Sequence, residues 1–245
     1  MSQTKTKPLL LQANWSAPSN IHTRISTCSE DFNLALHVEA DPQSVALNRA
    51  KLQEFLPTTP LWLNQTHSTT VINWDKESNY QIYAADASIS SAKNVVCVVM
   101  TADCLPILLT NTRGEFVAAI HAGWRGLNDG IIQQTIAKLA QFAPSEMLAF
   151  IGPAIDQECF EIGGEVRESF ILNDPLSAQF FSASINSGKF MGNLRGIAAH
   201  QLVQAGLQSA NISNSKICTR CHSDWFYSYR ANPQTGRIAS LIWRD

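Results

Sequence analysis

Six consecutive apolar residues, Val95-Val96-Cys97-Val98-Val99-Met100, constrain this chain more than any other feature. β-Branching restricts χ1 and suits an extended, pleated backbone. A run that is apolar at every position reads as a strand buried on both faces, because a half-exposed strand would alternate. The fold therefore has to supply cover above and below it. Two more apolar segments, 106–109 and 116–120, flank a polar turn at 111–114, which predicts an antiparallel hairpin. Another strand is expected at 147–151. Asp41-Pro42 reads as a helix cap followed by proline at the first helical position, with Val45, Leu52, Phe55 and Leu56 as the apolar face and Pro57 as the stop. Ile132, Ile136 and Leu139 mark a helix within 129–142, and Leu194, Ile197, Ala198, Gln201, Leu202 and Ala205 mark one within 193–206. Residues 226–229 and 236–243 read as a closing hairpin. Strands that come in runs, not in strict alternation with helices, favour α+β over a doubly wound sheet.

Composition decides whether such a core can be filled. Of 245 residues, 45% are hydrophobic and 16% charged, which suits one large folded domain or two small ones and excludes wholesale disorder. A net charge of −2 has the wrong sign for a protein that neutralises nucleic-acid backbones, so no nucleic-acid partner is expected. No membrane is expected either, since no apolar run approaches the roughly 20 residues of a span. Leu9-Leu10-Leu11 is too short for the apolar region of a signal peptide, and a cytoplasmic location with reduced thiols follows as the expectation. Six cysteines are too sparse for a disulfide scaffold. Residues 1–17 are expected to be loosely ordered and 18–245 to form a single domain.

Three polar segments follow directly on apolar ones: Gln65-Thr66-His67, Thr101-Ala102-Asp103-Cys104 and His121-Ala122-Gly123-Trp124-Arg125-Gly126. A polar residue at the exit of a buried strand can point into a shared cavity. Cys104 opens the first strand of the expected hairpin and His121 closes the second, so an antiparallel register brings them side by side. Each also has a plain structural reading: a histidine at a strand end, a core-filling cysteine, an aspartate capping a turn. The spacings of 37 residues from His67 to Cys104 and 17 from Cys104 to His121 match no closed zinc-finger pattern. They suit a catalytic metal, which takes three protein ligands and keeps one position open.

The blocks Gln65-x-His67, Met100-Thr-Ala-Asp-Cys104-Leu-Pro106 and His121-Ala-Gly-Trp-Arg-Gly126 resemble the laccase-domain family of purine nucleoside phosphorylases. That family was formerly called multicopper polyphenol oxidases and is also linked to peptidoglycan editing. Ile151-Gly-Pro-Ala-Ile155, Phe160-Glu-Ile-Gly-Gly-Glu165, Phe226-Tyr-Ser-Tyr-Arg230 and Thr235-Gly-Arg237 extend the likeness over most of the chain. The resemblance implies a single α+β domain of two packed mixed β-sheets with flanking helices. It implies one zinc held by His67, Cys104 and His121. It also implies a purine nucleoside (adenosine, inosine or methylthioadenosine) and phosphate as substrates; for the assembly, a monomer or homodimer is the expectation. Arg24, Asn33, Gln65 and Arg230 fall in family blocks and are the candidate substrate contacts. Some positions depart from the family pattern. Ser26-Thr27 replaces a Gly-Gly pair, Ala35 replaces the glycine after Asn33-Leu34, Ser68 replaces the glycine after the first metal histidine, and Ala231 replaces a second arginine.

A Cys/His/His set suits zinc, with copper as the alternative ion. A true multicopper oxidase needs far more histidine than the six in this chain. Zinc with an open position can activate water for attack on adenosine C6. Asp103, beside Cys104, is the candidate for shuttling the proton; its other reading is a hydrogen bond that orients a ligand. Phosphorolysis needs a held phosphate, for which Arg125, with Arg24 and Arg230, supplies bidentate forks. Three alternatives stay open. One is a cysteine amidohydrolase editing peptidoglycan precursors, with Cys104 as nucleophile and His121 or His67 as base. The others are a copper-dependent polyphenol oxidase and a non-catalytic zinc-stabilised binding module. Cys218-Thr-Arg-Cys221-His222 has the form of a c-type haem attachment sequence, a redox pair or half a zinc site. Haem attachment needs export, so free thiols without haem are expected there.

Overall fold

A computed structural model describes residues 7–38, 40–77 and 81–245. The described chain runs β1 (Leu10–Leu11), β2 (Ile21–Ser26), α1 (Pro42–Gln53), β3 (Leu63–Asn64), β4 (Val71–Asn73), β5 (Tyr83–Ala84), β6 (Ala87–Ser90) and β7 (Cys97–Thr101). It continues through β8 (Leu105–Asn111), β9 (Val117–Ala122), α2 (Trp124–Asn128), α3 (Ile131–Lys138), β10 (Met147–Ile151), β11 (Glu161–Gly163) and α4 (Gly164–Asn173). It ends with β12 (Phe181–Ala183), β13 (Lys189–Gly192), α5 (Leu194–Gln204), β14 (Ile212–Asn214) and β15 (Ile238–Arg244).

Two large sheets carry the α+β architecture. One has the order β1-β2-β15-β7 and is antiparallel throughout. The other, β14-β10-β8-β9-β6-β4, is mixed, with parallel pairs at both edges. Smaller sheets, β11-β13-β12 and β3-β5, lie outside this pair. The period-two alternation of strands sorts the core into three layers. Cys97 and Val99 of β7, Ile238 and Ile242 of β15, Val117 and Ala119 of β9 and Phe150 of β10 fill the space between the sheets. The alternate residues Val98, Met100, Leu241 and Trp243 face outward onto Phe32, Leu34 and Leu52 of α1. On the far side, Ile107, Leu109, Ile120 and Ala149 pack under the apolar stripes of α3 and α5. The all-apolar run thus has its required cover on both faces.

Asp41 caps α1 by accepting from the N–H groups of Gln43 and Ser44 at 3.3 and 2.9 Å, with Pro42 at the first position. The helix stops at Gln53, short of Pro57, and Phe55 is 46% exposed instead of lying on the apolar face. The expected closing hairpin does not form: β15 pairs with β2 and β7, while 226–229 lie in a turn-rich segment. The sheet offers β15 two full backbone ladders, and Ser228 is drawn to a buried carboxylate described below. The segment expected to be loose is tied down where it is described. Leu10 and Leu11 pair with β2, Thr27 donates its N–H to Leu9 O, and Ala13 donates to Thr23 Oγ1. Residues 1–6 of that expectation lie outside the described residues.

Candidate metal centre

The chain passes from one large sheet to the other between β7 and β8, through Ala102-Asp103-Cys104. Asp103 makes this corner at φ 83°, in the left-handed region that L side chains rarely adopt. Pro106 opposes His121 in the β8–β9 ladder. Cys104, two residues before Pro106, is therefore the diagonal neighbour of His121, which is the expected juxtaposition shifted by two positions. His67 arrives on the loop between β3 and β4, also at a positive φ of 60°. The three ligand atoms lie within 4.8 Å of one another, with Cys104 Sγ 3.9 Å from His67 Nε2.

Asp86, fully buried at the start of β6, holds this group together. One oxygen accepts from the His67 N–H at 2.9 Å and from His121 Nδ1 at 2.7 Å. The other accepts from the N–H groups of Thr66 and Ser68 and from Ser68 Oγ. These donors offset the strain of the His67 backbone and fix the His121 tautomer. Burial works against the Asp86 charge, but His121 and Ser68 outweigh it and hold the carboxyl at about 2. Burial likewise opposes a charged Cys104, yet His121 and His67 lower its thiol to about 6. His121 is raised to about 9 against its own burial, by Cys104 and Asp86. Gly123 allows the close approach: a Cβ there would stand 2.5 Å from His67 Cδ2 and 3.2 Å from Cys104 Sγ. One thiolate and two imidazoles, with a carboxylate behind one ring, fit a transition-metal ion.

This group forms the floor of a cavity of about 510 Å3, a size that suits a small ligand. Arg125 and Arg230 line it, as does Gln65. Arg125 lies over the Trp124 ring at 4.4 Å. Arg230 donates to the carbonyls of Cys159 and Glu161 and lies over Phe160 at 5.4 Å. The Gln65 amide is spent on the backbone of Met100, donating and accepting at 2.7 Å.

Three expected site residues are used differently. Asp103, expected as a proton shuttle, has both oxygens engaged: Thr219 Oγ1 donates to one at 2.6 Å, and Ser228 Oγ and the Arg230 N–H donate to the other. It anchors the segment that carries Arg230. Asn33 does not line the cavity. It accepts from the Arg237 N–H at 2.9 Å and so positions an arginine that does. Arg24 does not reach the cavity: it donates to Thr23 O, lies over Trp243 and lines a separate hollow. Asp86, Arg237 and the rings of Trp124, Phe160 and Tyr229 complete the site without having been expected in it. The signal for Asp86 was a charge among small apolar residues, Ala84-Ala85-Asp86-Ala87, at the mouth of a strand.

A layered α+β domain with a His–Cys–His floor where two sheets meet defines a class. The chain belongs to the multi-copper polyphenol oxidoreductase laccase family, whose model matches residues 20–245. Among its relatives is a Haemophilus influenzae protein named purine nucleoside phosphorylase, 41% identical over 244 residues, spanning 95% of this chain and 98% of the relative. An Escherichia coli protein named purine nucleoside phosphorylase YfiH is 39% identical, over 96% of this chain and 98% of its own. A crystal structure of a Neisseria meningitidis protein superposes with a TM-score of 0.91 at 40% identity, covering 97% of this chain and all of that one.

Proposed function

We propose that this chain is a zinc-dependent purine nucleoside phosphorylase, acting on adenosine, inosine or methylthioadenosine, that also deaminates adenosine at the same centre. The observation that carries the reading is the His67–Cys104–His121 group at the floor of a cavity walled by arginines and aromatic rings. The names of the relatives support the phosphorylase half. A zinc ion held there supplies Lewis-acid activation of water or of a substrate oxygen. Asp86 accepts a hydrogen bond from His121 Nδ1–H, which keeps the proton on Nδ1 and leaves Nε2 free for coordination. Arg125 presents a fork to a phosphate, and Arg230 and Arg237 add the N–H groups that they do not give to the carbonyls of Cys159, Glu161, Thr235 and Gly236. Trp124, Phe160 and Tyr229 offer ring faces to a purine. Asp103 is a positioning residue that sets Arg230. The remaining histidines are dispersed: His22 pairs with Asp245, His200 with Asp174 and His222 with a carbonyl, while His37 stands at the cavity rim. That dispersal speaks against a copper polyphenol oxidase. A cytoplasmic monomer or homodimer acting on small molecules completes this reading; no helix among the described residues is long and apolar enough to cross a membrane.

Purified protein given adenosine is expected to yield inosine without phosphate, and adenine with ribose 1-phosphate when phosphate is present. Chelation abolishes both reactions and zinc restores them. Full turnover in metal-free protein overturns the reading. One observation favours a second reading, an amidohydrolase acting on a peptidoglycan precursor: the Cys104 thiol, lowered to about 6, lies 3.9 Å from His67 Nε2. In that case metal-stripped protein stays active, and an alkylating reagent trapping Cys104 abolishes turnover.

A further inference from the structure

A second group of sulfurs comes together away from the cavity floor. Cys159 lies in the turn before β11, and Cys218 and Cys221 lie in the turn-rich segment after β14. Their Sγ atoms fall within 4.8 Å of one another, with Cys159 and Cys221 at 3.3 Å. That is too long for a disulfide of about 2.05 Å. It is about 0.5 Å under the roughly 3.8 Å that tetrahedral geometry imposes between thiolates at a Zn–S distance of about 2.3 Å, so the pair opens slightly to share an ion. Two backbone N–H groups converge on one of these sulfurs. The N–H groups of Asp156 and Cys221 both donate to Cys218 Sγ at 3.4 Å. The second of these bonds closes the Cys218-Thr-Arg-Cys221 loop and turns two sulfurs towards one point. A backbone bridge from Ala154 to Cys218 fixes the loop against the chain that leads to Cys159. Cys218 is buried, Cys159 half-buried and Cys221 exposed, so the open side of the group faces solvent.

We propose that Cys159, Cys218 and Cys221 form a second metal site, which takes zinc as a trithiolate and leaves the fourth position to solvent. Its place gives it a task. Cys159 O accepts from Arg230 Nη1 at 3.2 Å, and Phe160, the next residue, lies beneath the same guanidinium. Zinc across the three sulfurs staples the Cys159 turn to the 218–221 loop, and with it one wall of the cavity.

Cobalt(II) tests the site, because thiolate ligation gives it an intense near-ultraviolet charge-transfer band and tetrahedral ligation gives visible bands. The Cys104→Ala protein, which lacks the thiol of the first group, is expected to bind one cobalt with these bands. Adding Cys159→Ser or Cys221→Ser is expected to abolish them. The outcome does not depend on what the first group does. As a second measurement in otherwise native protein, Cys221→Ser is expected to carry one zinc fewer per chain than the parent. Cys104→Ala protein without a thiolate–cobalt band overturns the proposal. So does equal zinc in parent and Cys221→Ser, or an intact mass lower by two hydrogens that places a Cys159–Cys221 disulfide in the isolated protein.

Discussion

The two sulfur-bearing groups of this protein are assembled in opposite ways. His67, Cys104 and His121 come from three separate segments and are held by a fully buried carboxylate, Asp86, at the junction of two sheets. Cys159, Cys218 and Cys221 stand on turns that run from the buried Cys218 to the exposed Cys221, two of them in one four-residue loop, and backbone N–H groups on Cys218 take the place of a carboxylate. The first group keeps its shape because the core around it does; the second is placed by local backbone bonds, and the proposed ion would add the cross-link between its two turns. A site for chemistry needs the former, since catalytic geometry has to survive turnover, whereas a staple can be built at the rim.

Breaking the first group should therefore have the largest effect. Cys104→Ala is expected to remove metal from the cavity floor and to abolish nucleoside turnover, measured by metal analysis alongside product formation. Asp86→Asn keeps the shape but weakens the acceptor for two histidine segments. Loss of such a supporting partner costs about 10–100-fold in metal affinity, readable by competition with a chromogenic chelator; unchanged affinity would detach Asp86 from the metal. Arg125→Ala sharpens the division of labour within the cavity. Losing a charge-assisted contact of about 1.5–3 kcal/mol should slow phosphorolysis roughly ten- to a hundredfold. Deamination, which binds no phosphate, should fall much less, and an equal loss of both would make Arg125 a support for His121. The smallest effect is expected at the rim: Cys221→Ser should leave turnover within about twofold and lower the melting temperature by roughly 2–4 °C for each kcal/mol of staple lost. Calorimetry and steady-state assays read this directly, and a collapse of activity would contradict the separation of the two groups.

What the sequence made legible follows from the range of the forces involved. β7, β8, β9 and β10 announce themselves because strands buried on both faces are apolar at nearly every position. α1 does so because Asp41 and Pro42 act locally. β6, Ala87-Ser-Ile-Ser90, is buried but built of small residues and gives no such signal. β15 is legible as a strand, but its pairing is not, because its partners β2 and β7 lie far away in sequence, which no local pattern records. In the site, His67, Cys104 and His121 stood out by residue type and by the blocks around them. Asp86 did not, because its task is to satisfy backbone N–H groups that only the folded chain brings near it. Arg24 and Asn33 show the converse: a family block locates a segment without saying which way its side chain is spent.

The position of β15 has a consequence for how the molecule is made. Within the four-stranded sheet β7 has one neighbouring strand, and that neighbour is β15. During synthesis the Val95–Met100 run leaves the ribosome well before residues 238–244. At about 5–20 residues per second that interval is on the order of ten seconds. For that time a β-branched, uncharged segment is bare along the edge that β15 covers, with only Leu61 bridging Cys97 on the other, and such a segment is the kind from which aggregates nucleate. The same late strand completes the sheet whose end carries Thr101 and the turn to Cys104. The nascent chain thus passes through a window in which its most adhesive surface is bare and its cavity floor lacks support. Yield in the cell should accordingly respond to chaperone supply and translation rate more than to the stability of the finished fold.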